Sequence, residues 1–485
     1  MALALIALIF AFAVALGLAA RRGKKMDLAQ WTIGRRGFGV VIVFLLMAGE
    51  IYTTFTFLGA SGYAYGRGAP ALYILAYGAL AYTLGYWLLP PIWRYAKRHE
   101  LITQADFFAH RFDSRTLGIA VGLLGVLAML PYLALQLKGL GLIVEIASGG
   151  VVHADAAIAI GTAGLVVYVI ASGIHASAWT AVVKDVLILG IAIFLGLYLP
   201  WHAYGGIAPM FRQLTAAHPH LFTLTAPQGT VWFVSTALVS ALGFWMWPHA
   251  FAYVFSAREE NSFRKNSLVL PLYQVVLLFI FFVGFAAIGI VPGLANGDLA
   301  LLAATAATLP PWVLGLVGGA GVLAALVPGS LLLIVTAALL AKNGLARLPW
   351  FAGETRTTLA ARLLVIPVAV AAAAFALFGS TGIVGLLLLG YSYITQLFPA
   401  LALSFAARRF VTTAGAFAGL LVGVAFVTVL TLLHRHVTGL LPFLPHTLSG
   451  LNDGIAALVL NVIALVGVSI LTGGMGTQRS TVDGA

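Results

Sequence analysis

Apolar residues in this 485-residue chain come in long unbroken runs, separated by short polar or basic loops. About 20 apolar residues in a row are enough to cross a bilayer as a helix. Thirteen runs qualify, at about 2–19, 38–66, 72–93, 116–147, 156–173, 178–200, 230–256, 267–291, 311–341, 359–378, 382–407, 411–434 and 453–472. The pattern predicts an all-α polytopic membrane protein with thirteen transmembrane helices. The loop 94–115 differs from the others. It contains LITQADFFAHRF, which reads as a short amphipathic helix on the membrane surface.

Two runs carry polar breaks. The second contains MAGEIYTTFTFLGASG over 47–62, with Glu50 among the threonines Thr53, Thr54 and Thr56 and the glycines Gly49, Gly59 and Gly62. A carboxylate at that depth costs from about 2.5 to more than 10 kcal/mol, so it marks a functional site by default. Gly49 and the threonines suggest a helix that opens locally and offers carbonyls and hydroxyls to a ligand. The alternative is a kinked helix whose Glu50 is protonated and bonded to a neighbour. The other break is in the seventh run, ALGFWMWPHAFAY, where Pro248 removes a backbone donor and His249 follows. The breaks lie five spans apart. Paired broken helices in the two halves of an inverted repeat point to a transporter's binding site. Residues 38–200 then form a first repeat, with the second span as core helix 1, and 230–410 form the second repeat, core helices 6 to 10. Residues 1–37 add an N-terminal span and a basic loop, 201–229 an external loop, and 411–485 two further helices and a short tail. Gly118–Gly122 and Gly415–Gly419–Gly423 have the spacing of close helix packing.

Composition and charge orient this framework. Hydrophobic residues make up 62% of the chain and charged residues 8%, a balance foreign to soluble domains. The formal charge of +12 raises the question of nucleic acid. The basic residues are instead spread over short loops. With the N-terminus outside and the C-terminus inside, all but five of the 26 fall in inner loops. The five are Arg67, Arg212 and Arg435 outside, and Lys138 and Lys184 within spans. Arg21, Arg22, Lys24 and Lys25 follow the first apolar run, the reverse of a secretory signal, so that run reads as a retained span. The chain has no cysteine, which excludes disulfides and thiolate chemistry. It has no Walker loop, HExxH or G-x-S-x-G. The histidines lie mostly in loops, such as His218, His220, His434 and His436, and predict no metal site. An enzyme and a cofactor are therefore not expected.

Taken together, FLGASGYAYGRG, ITQADFFAHRF, SGIHASAWTAVVKD and LAALVPGSLLLIVTAAL resemble the sodium:solute symporter family. GEIYTTFTF at 49–57, ALQLKG at 134–139, VKD at 183–185 and Pro248–His249 resemble its bacterial monocarboxylate permease branch. The resemblance covers nearly the whole chain. It implies a LeuT-type five-plus-five inverted repeat with extra terminal helices, in a bacterial inner membrane. It also implies that a sodium ion would be held by carbonyls at Gly49 and Tyr52 and at Ala325 on core helix 8, with hydroxyls at two further positions. Here those two are Pro328 and Gly329, which have no side-chain oxygen. A sodium ion stripped of water needs several oxygens, so the sequence argues against this site.

Ionisable groups offer a replacement. Glu50 adjoins the carbonyl positions, and Lys184 lies on core helix 5, from which some proton-coupled transporters of this fold place a lysine where sodium would be. The alternative for Lys184 is a side chain that snorkels to the nearby inner surface. Asp185 is about 100° round the helix from it, so the two are not automatically a pair. Glu50, Lys184 and Asp185 are the expected coupling residues. Lys138 and Glu145, seven apart on core helix 3, form either a structural pair or a lure for an anion. Thr53, Thr56, Gln136, Trp245 and His249 lie on core helices 1, 3 and 6 and are expected to line a small aromatic substrate pocket. The expected function is import of a short monocarboxylate of the lactate, pyruvate, acetate or propionate type by alternating access. The coupling ion is expected to be the proton, with sodium and a sugar, amino acid or other small solute as the alternative. The expected partners are a small organic anion and the bilayer, with no nucleic acid and no obligate protein.

Overall fold

The computed structural model describes residues 1–485 except 21, 24, 25, 226, 227, 352, 380, 407–409, 441–444, 449 and 474–485. The expected basic positions Arg21, Lys24, Lys25, Arg408, Arg409 and Arg479, and the tail that holds the last of them, lie outside the described residues. The chain opens with α1 (Ala2–Ala20) and a short α2 (Leu28–Ile33). Core helix 1 follows as two pieces, α3 (Val40–Ala48) and α4 (Ala60–Arg67). Next come α5 (Tyr73–Arg98), the short α6 (Gln104–Arg111), α7 (Arg115–Ala147), α8 (Ala154–Ser172) and α9 (Ile174–Tyr204). After the short α10 (Ile207–Ala217), core helix 6 is again two pieces, α11 (Thr230–Gly243) and α12 (Pro248–Ser256). Then follow α13 (Asn261–Gln274), α14 (Leu277–Ile290), α15 (Ala300–Thr308), α16 (Pro311–Leu339) and α17 (Glu354–Phe378). The chain closes with α18 (Ile383–Ile394), α19 (Phe398–Ser404), α20 (Thr413–Leu432), α21 (Val437–Leu440) and α22 (Asp453–Leu471).

Among the described residues, eleven helices are long and apolar enough to cross a membrane, and twelve if α11 and α12, bent by 49° at their junction, count as one span. The one expected span missing from this count is the second, 38–66, whose two pieces are each too short to qualify. Its interruption is what lowers the count.

α16 lies at the centre, buried over its whole length from Val313 to Leu339 apart from residues in its first two turns. Its many glycines and alanines let other helices approach it closely on every side. Its neighbours include α1, α7, α9 and α17. The predicted glycine faces pack as expected. A Cβ at Gly118 would lie 2.6 Å from that of Ala109 on α6, and Cβ atoms at Gly415 and Gly419 would strike Ser469 and Asn461 on α22.

The expected surface helix forms as α6, opened by a capping box between Thr103 and Asp106. It is not merely adsorbed. Gln104, Phe107 and Phe108 are buried, and Gln104 Nε2 donates to the carbonyl of Met246 in the break of core helix 6 at 2.6 Å. Asp106 also holds Lys342 at 2.6 Å and Asn343 at 2.9 Å, just beyond α16. At the same end, core helices 1 and 6 are joined by backbone bonds. Phe38 N–H donates to Ser256 O at 3.1 Å, and Arg258 N–H to Phe38 O at 2.9 Å.

Candidate functional site

The break in core helix 1 frees backbone groups that must find partners, since an unpaired one at this depth is costly. The sequence supplies them from side chains. Thr53 N–H donates to the hydroxyl of Thr56 at 3.0 Å, and Thr54 N–H to Gln136 Oε1 on α7 at 3.3 Å. Tyr82 O–H donates to the carbonyl of Met47 at 3.1 Å. The carbonyls of Gly49 and Tyr52 receive Lys184 Nζ at 3.3 and 3.1 Å. The break is thus an opened stretch held by α5, α7 and α9.

Lys184 is wholly buried and does not snorkel. Its Nζ also lies 2.9 Å from Asp185 Oδ1, so the adjacent pair does meet. The helix angle alone does not bring them together; the lysine side chain is long enough to turn back. Neither Asp185 oxygen is aligned for a hydrogen bond, and the contact is one of charge. On α16, Gly329 faces Leu165 and Gln136. The Ser330 hydroxyl donates to the carbonyl of Val327 at 2.7 Å and so accepts from the Ser177 hydroxyl at 2.6 Å. Ala325 lines a small apolar cavity with Gln136 and Leu165.

Glu50 lies at the meeting point of three elements. Its Oε2 accepts the Tyr132 hydroxyl of α7 at 3.0 Å, and His249 Nε2 of α12 is 3.0 Å from the same oxygen. The His249 ring is turned so that neither nitrogen has an aligned partner. Around it Trp247 Nε1, Tyr253 Oη and Thr53 Oγ1 are buried and unpartnered as well. Such groups cost free energy in isolation and suit a site that a polar ligand completes. Beside Glu50 a small cavity, with room for about one water, is lined by Thr56, Tyr77, Tyr82, Phe244 and Gln274.

The structure therefore brings Glu50, Thr53, Thr56 and His249 together, with Gln136 one turn along α7 from Tyr132. Trp245 stands apart. Its indole N–H donates to Ala81 O on α5 at 2.6 Å, and Phe244 rather than Trp245 lines the cavity. Lys138 donates across to Thr381 O at 2.9 Å rather than pairing with Glu145. Tyr132, Tyr77, Trp247 and Tyr253 were not anticipated. One signal does point to Tyr132: with Gln136 and Gly139 it occupies an i, i+4, i+7 face, and that face meets the break.

The chain matches the family model described as sodium:solute symporter family over residues 31–423. It is 52% identical over 460 residues to the "Uncharacterized symporter YhjB" of Bacillus subtilis, covering 94% of each chain. It is 33% identical over 470 residues to that organism's "Uncharacterized symporter YodF", covering 96% of this chain and 92% of the relative. The "Monocarboxylate transport permease protein" of Rhizobium johnstonii is 30% identical over 351 residues, 70% of each chain. Among solved structures, a Na+-coupled sialic acid symporter in a substrate-bound outward-open state superposes with a TM-score of 0.79 at 16% identity, over 97% of this chain and 98% of the other. Mhp1, a nucleobase-cation-symport-1 family transporter in a closed conformation, superposes with a TM-score of 0.58 at 15% identity, over 92% and 96%. The fold they share with this chain is the LeuT type.

Proposed function

The chain belongs to the sodium:solute symporter family, and we propose that it imports a short monocarboxylate across a bacterial inner membrane by using protons rather than sodium. The observation that carries this reading is the position of Lys184. Its buried ammonium donates to the carbonyls of Gly49 and Tyr52, the oxygens that the family resemblance assigns to the ion. A second cation at the same oxygens would meet like charge in a medium of low dielectric. Pro328 and Gly329 add no side-chain oxygen, and the Ser330 hydroxyl is engaged with Ser177.

The driving ion then acts through a titratable group beside the cavity, and Glu50, which borders it, is the group assigned that part in this reading. As a carboxylate it repels a carboxylate substrate. Once protonated it no longer does, so proton and anion bind with positive coupling. At the breaks the helix N-termini, such as that of α12 at Pro248, favour a carboxylate nearby. The substrate class draws support from the name of the Rhizobium relative and from the smallness of the cavity.

One observation favours a second reading. Glu50 shares its cavity with Tyr77, Tyr82 and Phe244, and a carboxylate among aromatic faces also suits an ammonium group. An amino acid could use it so. Uptake of labelled lactate, pyruvate, acetate and propionate into proteoliposomes, with pH and sodium gradients imposed separately and amino acids as competitors, tests both. The expected result is accumulation of a short acid under an inward proton gradient without sodium. A strict sodium requirement at constant pH would overturn it.

A further inference from the structure

The two breaks meet at one contact. Glu50 follows the end of α3, and His249 is the second residue of α12, after the extended Trp247. They come from opposite repeats, yet Nε2 of His249 is 3.0 Å from Oε2 of Glu50. The side chains are 1% and 7% exposed, so water screens the contact little. Neither His249 nitrogen has an aligned partner, so nothing fixes which of them carries the proton, and a turn of the ring is what would align Nε2 with the nearby Oε2. Tyr132 occupies the same Oε2 as a donor and holds that oxygen toward the imidazole.

We infer that Glu50 and His249 hold one proton between them and titrate as a single unit. Its part in transport rests on the proton-driven reading above. Unprotonated, the unit carries the carboxylate's single negative charge and rejects an anion. With one proton it is neutral whichever residue carries it. In the transfer the O–H bond at Oε2 of Glu50 breaks as the N–H bond at Nε2 of His249 forms, leaving carboxylate and imidazolium. That second form presents a cation to the substrate's carboxylate without a further proton. The proton enters from the outer solution and leaves to the inner one.

Other titratable groups face the unit from each neighbouring element. Tyr77 and Tyr82 on α5 line the cavity with Glu50. Tyr132 is on α7, Tyr253 is on α12 at 6.1 Å between ring centroids from His249, and Tyr391 on α18 is stacked edgewise on Trp247. Lys184 and Asp185 neutralise each other behind the carbonyls of Gly49 and Tyr52. None of these gives the imidazole a carboxylate other than Glu50 within reach of a proton transfer.

Full-length protein labelled with 15N-histidine and reconstituted in lipid tests the inference by NMR titration. The His249 resonance is assigned by its loss in His249→Gln. In Glu50→Gln its midpoint should move by about one pH unit or more, the coupling that defines a shared site. An unmoved midpoint would overturn the pair, because a histidine that only lines the pocket titrates independently of residue 50. Should His249→Gln not fold, the readout is the number of histidine resonances whose midpoints move in Glu50→Gln: one supports the pair, none overturns it. Uptake measured in parallel separates the two claims. Proton-driven uptake with an unmoved midpoint overturns the pair alone. Sodium-driven, pH-independent uptake with a moved midpoint overturns the functional reading and leaves the pair standing.

Discussion

Lys184 and Asp185 are neighbours in sequence, and the ammonium of one lies 2.9 Å from a carboxylate oxygen of the other although both are buried. Neighbouring side chains on a helix ordinarily diverge. Here the lysine turns back over its own helix and reaches two carbonyls of core helix 1 at the same time. A single cation therefore neutralises an acid and closes an opened backbone.

Lys184→Met removes that cation and strands Asp185. Breaking a buried pair from one side costs about 3–5 kcal/mol. The unfolding temperature in detergent should fall sharply and uptake should be lost. Lys184→Met with Asp185→Leu should recover much of the stability, because no charge is then left uncompensated, but not the uptake. A lysine that merely snorkelled would be almost silent in both assays.

Glu50→Gln fixes the neutral form of the acid. Counterflow exchange of a labelled acid should persist at neutral pH, while accumulation under a pH gradient should vanish. Equal loss of both would mean that the carboxyl is needed for substrate binding itself.

Gly139 is where α7 lets the break approach. A Cβ there would lie 1.8 Å from Thr54 Cγ2 and 3.2 Å from Thr54 Cβ. Gly139→Ala should displace Thr54, lengthen its bond to Gln136 and lower the uptake rate. Thr54→Ser deletes the clashing methyl, so the double variant Gly139→Ala, Thr54→Ser should regain much of that rate. Failure of the rescue would show that the glycine is needed for something other than room.

Much of this arrangement is legible in the chain itself. Glycines, threonines and an acid inside an apolar run cannot be core filler, so Glu50 and the break announce themselves. Pro328 and Gly329 are as plain, because a missing oxygen is visible without coordinates. Tyr132, Trp247 and Tyr253 are not, since an aromatic residue in an apolar run looks like packing until a distant helix brings it a partner. The choice between Trp245 and Trp247 was also beyond the sequence. The chain from Phe244 to Met246 is a tight turn and Trp247 is extended, so helical periodicity gives no guide to which indole faces inward. Trp247 is the one against Tyr132 and His249.

Acid pH should probe the link between α6 and the end of α16. Burial is the largest influence on Asp106 and raises its pKa. The Lys342 ammonium, Asn343 and the Thr103 N–H together outweigh it and hold the carboxyl below its ordinary value of 3.8. A depressed carboxyl stabilises the fold above the unfolded-state value and loses that contribution as pH falls through the folded one. Asp106→Asn should thus lower the unfolding temperature at pH 5 to 8, by the equivalent of about 1.5–3 kcal/mol for a charged hydrogen bond. The gap from the parent should close only below about pH 4. A gap that persisted unchanged into strong acid would assign the effect to the capping bond alone.

The backbone bonds of Phe38 to Ser256 and Arg258 yoke α3 to α12. Half-helices from opposite repeats are thereby geared to one another, so any tilt that empties the site inward must carry both arms as a single lever. Because the chain has no cysteine of its own, a bridge between cysteines placed at 38 and 257 can lock that yoke in an otherwise unaltered protein. A lever that already moves as one piece should go on working with its two arms riveted together.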